Sequence, residues 1–431
     1  MKRKLYNNLL KWKDSASRKP LMLYGARQVG KTYLLQEFGK KEYENLVYIN
    51  CYKNETIKQL YNLDKDTNRL LRGLSAFSNQ SIYPGKTLIF LDEVQEIPAA
   101  VSALKYFAED APDYHIVVAG SLLGVMNMQG ESFPVGKIDI LHLRPMDFPE
   151  FLMALGEEAL SKLIDEHDLN MMDIMSEKYI ELLRQYYFVG GMPEAVKLFA
   201  THHNIQQVRK VQNTILSDYM NDIAKHTGKD AQRIRMVWNS IPAQLAKENK
   251  KFIFGAVKKG ARAADFETAI QWLLDAGLVY KIERVKDVKV PLKFYADPNA
   301  FKLFILDIGL LGALSEAPAD QILIGNNIFK EYKGAFTENY VLQQMKSRDD
   351  LHIYYYSKDN SKQEIDFMVQ KGCSILPIEV KAEENTKAKS LNTFITKDYK
   401  AYNYKGIRFS MKNYIDQGWM INLPLYAVSC I

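Results

Sequence analysis

The chain has 431 residues and a formal net charge of +6, with 47% hydrophobic and 25% charged residues. This composition is typical of globular proteins, so it predicts large buried cores and excludes extensive disorder. The three cysteines lie far apart, at positions 51, 373 and 430, which argues against both a disulfide framework and a zinc site.

Length and hydropathy limit the organisation of the chain further. At about 100 to 200 residues per domain, we expect three or four domains. No apolar run approaches the roughly 18 residues that span a bilayer, and the start of the chain lacks the apolar core of a signal peptide. We therefore expect a protein of the reducing cytoplasm without a membrane partner, whose mild positive charge is compatible with a polyanion.

The first part of the chain, residues 1–150, alternates short apolar runs with helical patterns. The runs are too short for helices, are rich in strand-forming residues and are continuously apolar, as expected of strands buried on both faces. They cover residues 21–24, 46–50, 87–91 and 115–119. Strands alternating with helices predict an α/β domain with a doubly wound parallel sheet.

A phosphate-binding pattern, GxxxxGK[ST], directly follows the first apolar run and precedes a helical pattern. Phosphate oxygens need converging backbone N–H groups, which glycines permit by close approach, and the positive end of a helix. Lys31 would reach the β- and γ-phosphates of ATP, and the Thr32 hydroxyl would bind Mg²⁺. The predicted nucleotide ligands are Gly25, Ala26, Arg27, Gln28, Val29, Gly30, Lys31 and Thr32.

Two acidic residues, Asp92 and Glu93, end the third apolar run, where ligands of open α/β sheets bind. We expect Asp92 to complete the magnesium shell and Glu93 to act as the general base that polarises the attacking water. Ser121 ends the fourth run and is a candidate catalytic contact to the γ-phosphate or the water. A helix N-cap explains Ser121 equally well.

The next part of the chain, residues 151–325, begins with long amphipathic patterns, which predict a helical lid over residues 151–225. Within residues 226–325, a capped helix is predicted over 265–276, followed by strands over 278–285 and 290–297. A helix followed by a hairpin indicates a winged-helix-like domain. Its flanking lysines and arginines favour contacts to phosphates, although a basic surface for protein contacts fits as well.

The last part, residues 326–431, combines a helix around residues 336–346 with strands over 351–357, 364–370 and 374–381. It is predicted to be a separate α/β domain.

These motifs together resemble bacterial and archaeal P-loop ATPases of the AAA+-like class that carry a C-terminal domain with a restriction-endonuclease-like core. The resemblance covers nearly the whole chain and rests on GARQVGKT, LIFLDEVQ, AGS, LRPMDFPEF, GGMPEAV, DIGLLGAL, GAFTENYV, EIDF and IEVK. It implies a P-loop core, a helical lid, a winged helix and a nuclease-like domain. The chain departs from the family at Lys137, where an arginine is expected. Independently of the resemblance, Arg27, Lys137 and Arg144 are candidates for the cation that assists hydrolysis.

The C-terminal domain carries a second candidate site. Glu379 and Lys381 are two residues apart in a predicted strand, so they share one face, and they lie beside Asp366 if the two strands form a hairpin. Glu338 stands on the preceding helix. The set resembles the PD-(D/E)xK arrangement, in which Asp366, Glu379 and Glu338 would hold Mg²⁺ and Lys381 would activate water. A sheet with one solvated charged face is the alternative.

Three classes of function fit these features. We favour an ATP-dependent enzyme that acts on nucleic acid, with ATP and Mg²⁺ as cofactors, DNA as partner and a metal-dependent nuclease site at the C-terminal end. The second class is a nucleotide-controlled switch that binds DNA or protein without cleavage. The third, a small-molecule kinase, is disfavoured because an adjacent Asp–Glu pair suits water activation. A homo-oligomer is compatible with each class.

Overall fold

The computed structural model describes residues 1–120, 133–226, 230–247, 250–319, 330–359, 361–382 and 388–431. The chain divides into two compact units. The smaller comprises Lys2–Arg144 with Asp275–Gly277, and the larger comprises Pro145–Leu274 and Leu278–Ile431 with Met1. Among the helices of the described residues, none combines the length and the apolar character that crossing a bilayer requires.

The smaller unit is built on five parallel strands in the order β2-β3-β4-β1-β5. The four strands predicted from the apolar runs are confirmed, and the three central ones are buried along their whole length. The fifth was missed because it is an edge strand whose burial alternates along its length. The strands are β1 Leu21–Tyr24, β2 Asn45–Asn50, β3 Thr87–Asp92, β4 His115–Gly120 and β5 Asp139–His142.

Helices cover the apolar faces of this sheet. They are α1 Leu5–Lys13, α2 Lys31–Glu42, α3 Glu55–Leu63, α4 Thr67–Ser78 and α5 Pro98–Asp110. The side chains of α3, α4 and α5 form one core with those of β2, β3 and β4. The arrangement is that of a P-loop NTPase domain, because the phosphate-binding motif joins the central strand β1 to α2.

The larger unit begins with helices, as predicted for the lid region. The helices after residue 145 are α6 Phe148–Ala154, α7 Glu158–Asp165, α8 Leu169–Ile174, α9 Ser176–Val189, α10 Pro193–His202, α11 Ile205–His226, α12 Ala231–Leu245, α13 Phe254–Val257, α14 Glu267–Asp275, α15 Ile308–Leu314, α16 Lys330–Lys346 and α17 Lys389–Thr393. Glycines in the motif GGMPEAV end α9: Gly190 caps it in the left-handed region at φ 72°.

A buried polar network ties this helix end to two later helices. The Gly191 N–H donates to Oδ2 of Asp307 over 2.6 Å, and Nε2 of Gln343 donates to the same oxygen over 3.0 Å. Gln343 also donates to the Tyr186 hydroxyl over 2.9 Å. Burial raises the pKa of Asp307, while the Gly191 N–H opposes that shift. The motifs GGMPEAV and DIGLLGAL therefore meet through hydrogen bonds.

An eight-stranded sheet forms the rest of the larger unit, in the order β12-β13-β11-β10-β9-β8-β6-β7. The strands are β6 Val279–Val285, β7 Ala296–Ile305, β8 Leu351–Ser357, β9 Glu364–Lys371, β10 Ser374–Val380, β11 Gly406–Ser410, β12 Ile415–Asp416 and β13 Met420–Pro424. The predicted strands β8, β9 and β10 are confirmed as an antiparallel meander.

The hairpin that was assigned to a winged helix differs from the prediction in the start of its second strand and in the sheet to which it belongs. The segment predicted as its second strand, residues 290–297, forms a 3₁₀ turn over Leu292–Tyr295, and the strand β7 follows it. The hairpin also pairs with the C-terminal sheet, because β6 lies parallel to β8. An open hairpin edge would leave backbone groups unpaired, and this pairing satisfies them. The hairpin of β6 and β7 thus forms one edge of the eight-stranded sheet.

His115 is a buried polar residue at the start of β4 in the smaller unit. Its Nδ1 lies 2.7 Å from the Tyr43 hydroxyl, and its ring packs edge-on against Trp12. Burial, reinforced by Arg18 and Lys13, lowers the pKa of His115 to about 4. The folded protein therefore holds this imidazole neutral in mildly acidic solution.

This pKa predicts a loss of stability in acid. The unfolded chain binds a proton at His115 below about pH 6.5, whereas the folded chain resists protonation until about pH 4, so stability falls as the pH drops through this window. Thermal melting at pH 7 and pH 5 should show a larger loss for wild type than for His115→Gln, which cannot take up the proton. Equal losses in both proteins would contradict this account.

Candidate functional site

The phosphate-binding loop starts where β1 ends, and close packing fixes its first residue. The Leu143 N–H donates to the Tyr24 carbonyl over 2.7 Å, which extends the pairing of β1 with β5. A Cβ atom on Gly25 would overlap the Leu143 carbonyl. The loop ends at Gly30, whose φ of 94° lies in the left-handed region, and α2 begins with Lys31. Glycine is therefore required at both ends of the loop.

The Lys31 side chain folds back over the loop. Its Nζ donates to the carbonyls of Gly25 over 2.8 Å and of Ala26 over 2.9 Å. Burial lowers the pKa of Lys31 to about 8, while the charges of Glu93 and Asp92 oppose the shift. The ammonium is thus held at the loop by neutral carbonyls, with two carboxylates nearby, and is available to an anionic ligand.

Thr32 and Asp92 meet at the start of α2, as the sequence predicted for a shared magnesium shell. The Thr32 hydroxyl donates to Oδ2 of Asp92 over 2.7 Å. Tyr48, which the sequence analysis did not select, donates to the same oxygen over 3.3 Å. Burial raises the pKa of Asp92, and the hydrogen bond from Thr32 opposes the shift. Tyr48 could have been found from its position near the end of β2, whose neighbour is β3.

Glu93 directly follows β3 and has an unusual backbone conformation. Its φ of 52° lies in the left-handed region, which is rare for a residue other than glycine. Gln95 holds its side chain: Nε2 donates to Oε2 of Glu93 over 2.5 Å. Sequence reasoning missed Gln95, although it lies in the quoted motif LIFLDEVQ. Ser121, the third predicted catalytic residue, lies outside the described residues.

The candidates for the cation that assists hydrolysis differ in their surroundings. Lys137 forms an ion pair with Glu109 over 2.9 Å. The carbonyl of Arg144 accepts a hydrogen bond from Arg3, which also donates to the carbonyl of Val29 in the loop over 3.0 Å. Arg3 is a contact to the loop that the sequence did not reveal.

These side chains fit a magnesium-bound nucleotide. The loop combines glycines that leave room for close approach, an ammonium whose hydrogen bonds go to two backbone carbonyls, and the N-terminus of the 12-residue helix α2. Thr32 and Asp92 supply the hydroxyl and carboxylate oxygens that magnesium prefers. Lys31, Thr32 and Asp92 therefore lie together at the carboxyl edge of the parallel sheet.

The second candidate site lies in the larger unit, and its strand register is the predicted one. Ile378 pairs with Phe367 in the antiparallel ladder of β9 and β10, which places Glu379 next to Asp366. Oδ2 of Asp366 accepts a hydrogen bond from the Val380 N–H over 2.7 Å. Lys381 forms an ion pair with Oε1 of Glu379 over 2.6 Å.

Two further lysines, which sequence reasoning did not place here, enter this site. Lys250 precedes α13 and forms a hydrogen-bonded ion pair with Oε1 of Glu338. Lys302 on β7 is fully buried and forms an ion pair with Glu364. Burial opposes the charge of Lys302, but Glu364, Glu338 and Asp366 outweigh it and raise its pKa. We call the acidic residues Glu338, Glu364, Asp366 and Glu379 the carboxylate cluster.

The carboxylate cluster does not fit a resident divalent metal ion in this arrangement. Among the described residues there is no group of three or more acidic, histidine or cysteine side chains placed to hold a metal. Glu338 and Glu379 are instead paired with lysines, and these pairs use the oxygens that a metal would need.

Models of known families match three parts of the chain. Residues 17–152 match the model of an AAA domain. Residues 180–321 and 333–426 match two models that are each described as a domain of unknown function. An uncharacterized protein of Haemophilus influenzae is 26% identical over 436 residues, which cover 94% of this chain and 92% of that protein. The AAA match and the parallel sheet confirm the P-loop fold of the N-terminal part.

Solved structures give weaker likenesses. The RuvB Holliday junction branch migration motor of Thermotoga maritima is 15% identical, with a TM-score of 0.31, over 68% of this chain and 91% of that chain. The Aeropyrum pernix ORC1 protein in complex with DNA is 14% identical, with a TM-score of 0.27, over 73% and 91%. AMPPCP-bound DnaA from Aquifex aeolicus is 14% identical, with a TM-score of 0.28, over 63% and 88%. TM-scores this low do not extend the fold assignment.

The geometry of Lys31 predicts a test of nucleotide binding. Lys31→Ala should weaken the binding of a fluorescent ATP analogue by about tenfold or more, because hydrogen bonds to charged groups contribute about 1.5–3 kcal/mol. Lys40→Ala, which removes an exposed lysine from the same helix, is the matched control and should bind as wild type does. Unchanged affinity in Lys31→Ala would show that the loop is not the nucleotide site.

Proposed function

We propose that the smaller unit is a magnesium-dependent ATPase. The hydrogen bond from Thr32 to Asp92, beside the buried ammonium of Lys31, carries the proposal, because it brings the magnesium ligands and the phosphate-binding cation to one edge of the sheet. Thr32 and Asp92 would hold the ion, which would neutralise charge on the phosphoryl group when bound with ATP.

In the hydrolytic step, a water oxygen forms a bond to the γ-phosphorus as the bond to the bridging oxygen breaks, which yields ADP and phosphate. Glu93 accepts the proton of that water, and Gln95 fixes the carboxylate by its hydrogen bond to Oε2. Lys31 and the N–H groups of the loop bind the phosphate oxygens. Ser121 is a predicted contact to the γ-phosphate or the water, and Arg27, Lys137 or Arg144 is the predicted cation that assists hydrolysis. A homo-oligomer in which a neighbouring copy supplies this cation is also a prediction.

We propose DNA as the partner of the larger unit, bound through backbone phosphates. Several basic residues near the hairpin are already paired: Arg284 with Asp297 and Asp359, Lys281 with Glu283, and Lys289 with Asp287. Lys258, Lys259 and Arg262, between α13 and α14, are exposed. Exposed lysines and arginines on a chain of net charge +6 suit phosphate contacts that do not depend on sequence.

The larger unit also contains a cavity of about 550 Å³. It is lined by Phe254 and Phe301, by Glu267, Thr268 and Gln271 of α14, and by Lys281. Aromatic side chains next to hydrogen-bonding groups can accept an unstacked base, which is compatible with nucleic acid as the partner.

The alternative is a nucleotide-controlled switch that binds DNA or protein without cleaving it. The ion pairs that fill the carboxylate cluster favour this alternative over a nuclease. Both alternatives keep the same ATPase, and they differ in what the larger unit does with its partner.

Phosphate release from ATP tests this proposal, measured with and without Mg²⁺ and with linear, branched or single-stranded DNA. We expect turnover that requires Mg²⁺, is lost in Asp92→Asn, and rises when DNA is added. In Lys258→Glu with Lys259→Glu, stimulation should need several-fold more DNA, because two phosphate contacts become repulsive. Lys210→Glu on α11 is the control. If the ATPase rate is unchanged by DNA and rises when a protein is added, the partner is a protein and not DNA.

A further inference from the structure

Three aromatic rings form a stack that runs from the core of the larger unit to its surface. The Phe394 ring is fully buried, and Tyr404 stacks on it with a centroid separation of 6.4 Å. Tyr402 stacks on Tyr404 with a centroid separation of 5.5 Å, and the ring planes differ by 15° in both pairs. We call these three residues the aromatic stack, and Tyr402, which is 47% exposed, is its exposed end.

Hydrogen bonds fix the segment that carries the aromatic stack. The Tyr404 hydroxyl donates to the carbonyl of Val288 over 3.0 Å, and the Tyr399 hydroxyl donates to Oδ1 of Asp287 over 2.7 Å. Both bonds join the segment before β11 to the connection between β6 and β7. Tyr402 thus stands on a support that is already ordered, so a ligand that stacks on its ring loses little free energy to ordering the protein.

Lysines are concentrated in the two segments that these hydrogen bonds join. Residues 286–293 read KDVKVPLK and residues 397–405 read KDYKAYNYK, so together they carry six lysines, two aspartates and a net charge of +4. Five of the six lysines are exposed. The partly buried one, Lys289, interacts electrostatically with Tyr402 and lies 5.9 Å from the ring centroid of Tyr295. The exposed end of the aromatic stack therefore lies among positive charges.

Ion pairs with other segments do not cancel this charge. Lys405 pairs with Asp416 over 2.8 Å, which neutralises one positive charge, whereas Lys358 pairs with Asp398 over 3.0 Å, which neutralises one negative charge. Lys400 is exposed and lies two residues before the exposed end of the stack. The surface thus combines an exposed ring with an excess of ammonium groups, which are the two features that bind single-stranded nucleic acid.

We infer that Tyr402 is a stacking site for an unpaired base of a single-stranded nucleic acid, whose phosphates contact the lysines of residues 286–293 and 397–405. A base extends the stack because every base has an aromatic face, and the neighbouring phosphates of the same strand need cations close by. The inference rests on the proposed nucleic-acid partner of the larger unit, but it assigns a different surface. Its residues are separate from the lining of the cavity of about 550 Å³ and from the basic residues between α13 and α14.

This surface suits single strands better than a duplex or an acidic peptide. The bases of a duplex are already stacked on each other, so a duplex offers the surface its phosphates only. An acidic peptide would use the lysines but would leave the exposed ring of Tyr402 without a stacking partner. We therefore expect the surface to distinguish strands by the presence of unpaired bases.

Binding of fluorescein-labelled oligodeoxythymidine to the full chain, measured by fluorescence anisotropy without ATP, tests this inference. An abasic strand of the same length has the same phosphates but no bases, so wild type should bind it several-fold more weakly. Tyr402→Ala should bind oligodeoxythymidine about tenfold more weakly than wild type does, and the abasic strand equally well. Tyr402→Phe, which keeps the ring, should bind both strands as wild type does.

Two further variants separate stacking from charge. Lys400→Glu should weaken the binding of both strands by a similar factor, because it acts on phosphate contacts alone. Tyr83→Ala removes an exposed tyrosine of the smaller unit and should match wild type. Oligouridine in place of oligodeoxythymidine identifies RNA or DNA as the source of the bases, and the dependence on Tyr402 should hold for the strand that binds more tightly.

Two results would overturn the inference. One is equal affinity of wild type for the abasic strand and for the strands that carry bases. The other is a folded Tyr402→Ala protein that binds those strands as tightly as wild type does. Tyr402→Leu, which fills similar space without an aromatic ring, replaces Tyr402→Ala if thermal melting shows that the alanine variant does not fold.

The inference and the proposed function can fail separately. If duplex DNA still raises the ATPase rate through Lys258 and Lys259 while Tyr402→Ala has no effect on strand binding, the inference fails and the proposed function stands. If neither single strands nor duplex DNA bind to the chain, both fail.

Discussion

Parallel pairing of β1 with β4 and β5 is the constraint on which the nucleotide site depends. The pairing places β1 inside the sheet, between β4 and β5, so the loop that follows it opens at the carboxyl edge, where β3, on the other side of β4, also ends. The Leu143 carbonyl then packs against Gly25, and no side chain fits there. The positions of Lys31, Thr32 and Asp92 follow from this arrangement of strands.

Charge compensation is the corresponding constraint in the larger unit. Its sheet buries carboxylates on β9, β10 and α16, and lysines from β7 and from the connection before α13 compensate them. The hairpin of β6 and β7 therefore has two roles in the fold: it pairs with the edge of β8, and it carries Lys302 into the carboxylate cluster. A winged helix separate from the sheet would have neither role.

The sequence predicted the features that depend on local pattern. The strands of the smaller unit were visible as continuous apolar runs, and the P-loop and the acidic pair were visible as motifs with fixed spacing. The meander β8–β9–β10 and the meeting of Asp366 with Glu379 were predicted from the two-residue period of strands. Each of these features joins residues that are close in the chain or follow a known motif.

Features that depend on contacts between distant segments were not predicted. Nothing near Lys250 or Lys302 in the sequence marks them as partners of Glu338 and Glu364, which lie 88 and 62 residues further along the chain, respectively. The pairing of β6 with β8 likewise cannot be predicted from the periodicity of the sequence, because periodicity does not show which strand lies at which edge of a sheet. Tyr48 lay within a predicted strand, but its hydrogen bond to Asp92 depends on the pairing of β2 with β3.

The most direct test of the central claim, that the smaller unit hydrolyses ATP with Glu93 as base, is single-turnover hydrolysis by Glu93→Gln. The account predicts that this variant binds ATP as wild type does and hydrolyses it about 100-fold more slowly or worse, since a positioned general base contributes about 10²- to 10⁴-fold. Glu96→Gln, at an exposed residue three positions later, should hydrolyse ATP normally. Hydrolysis by Glu93→Gln at the wild-type rate would contradict the account.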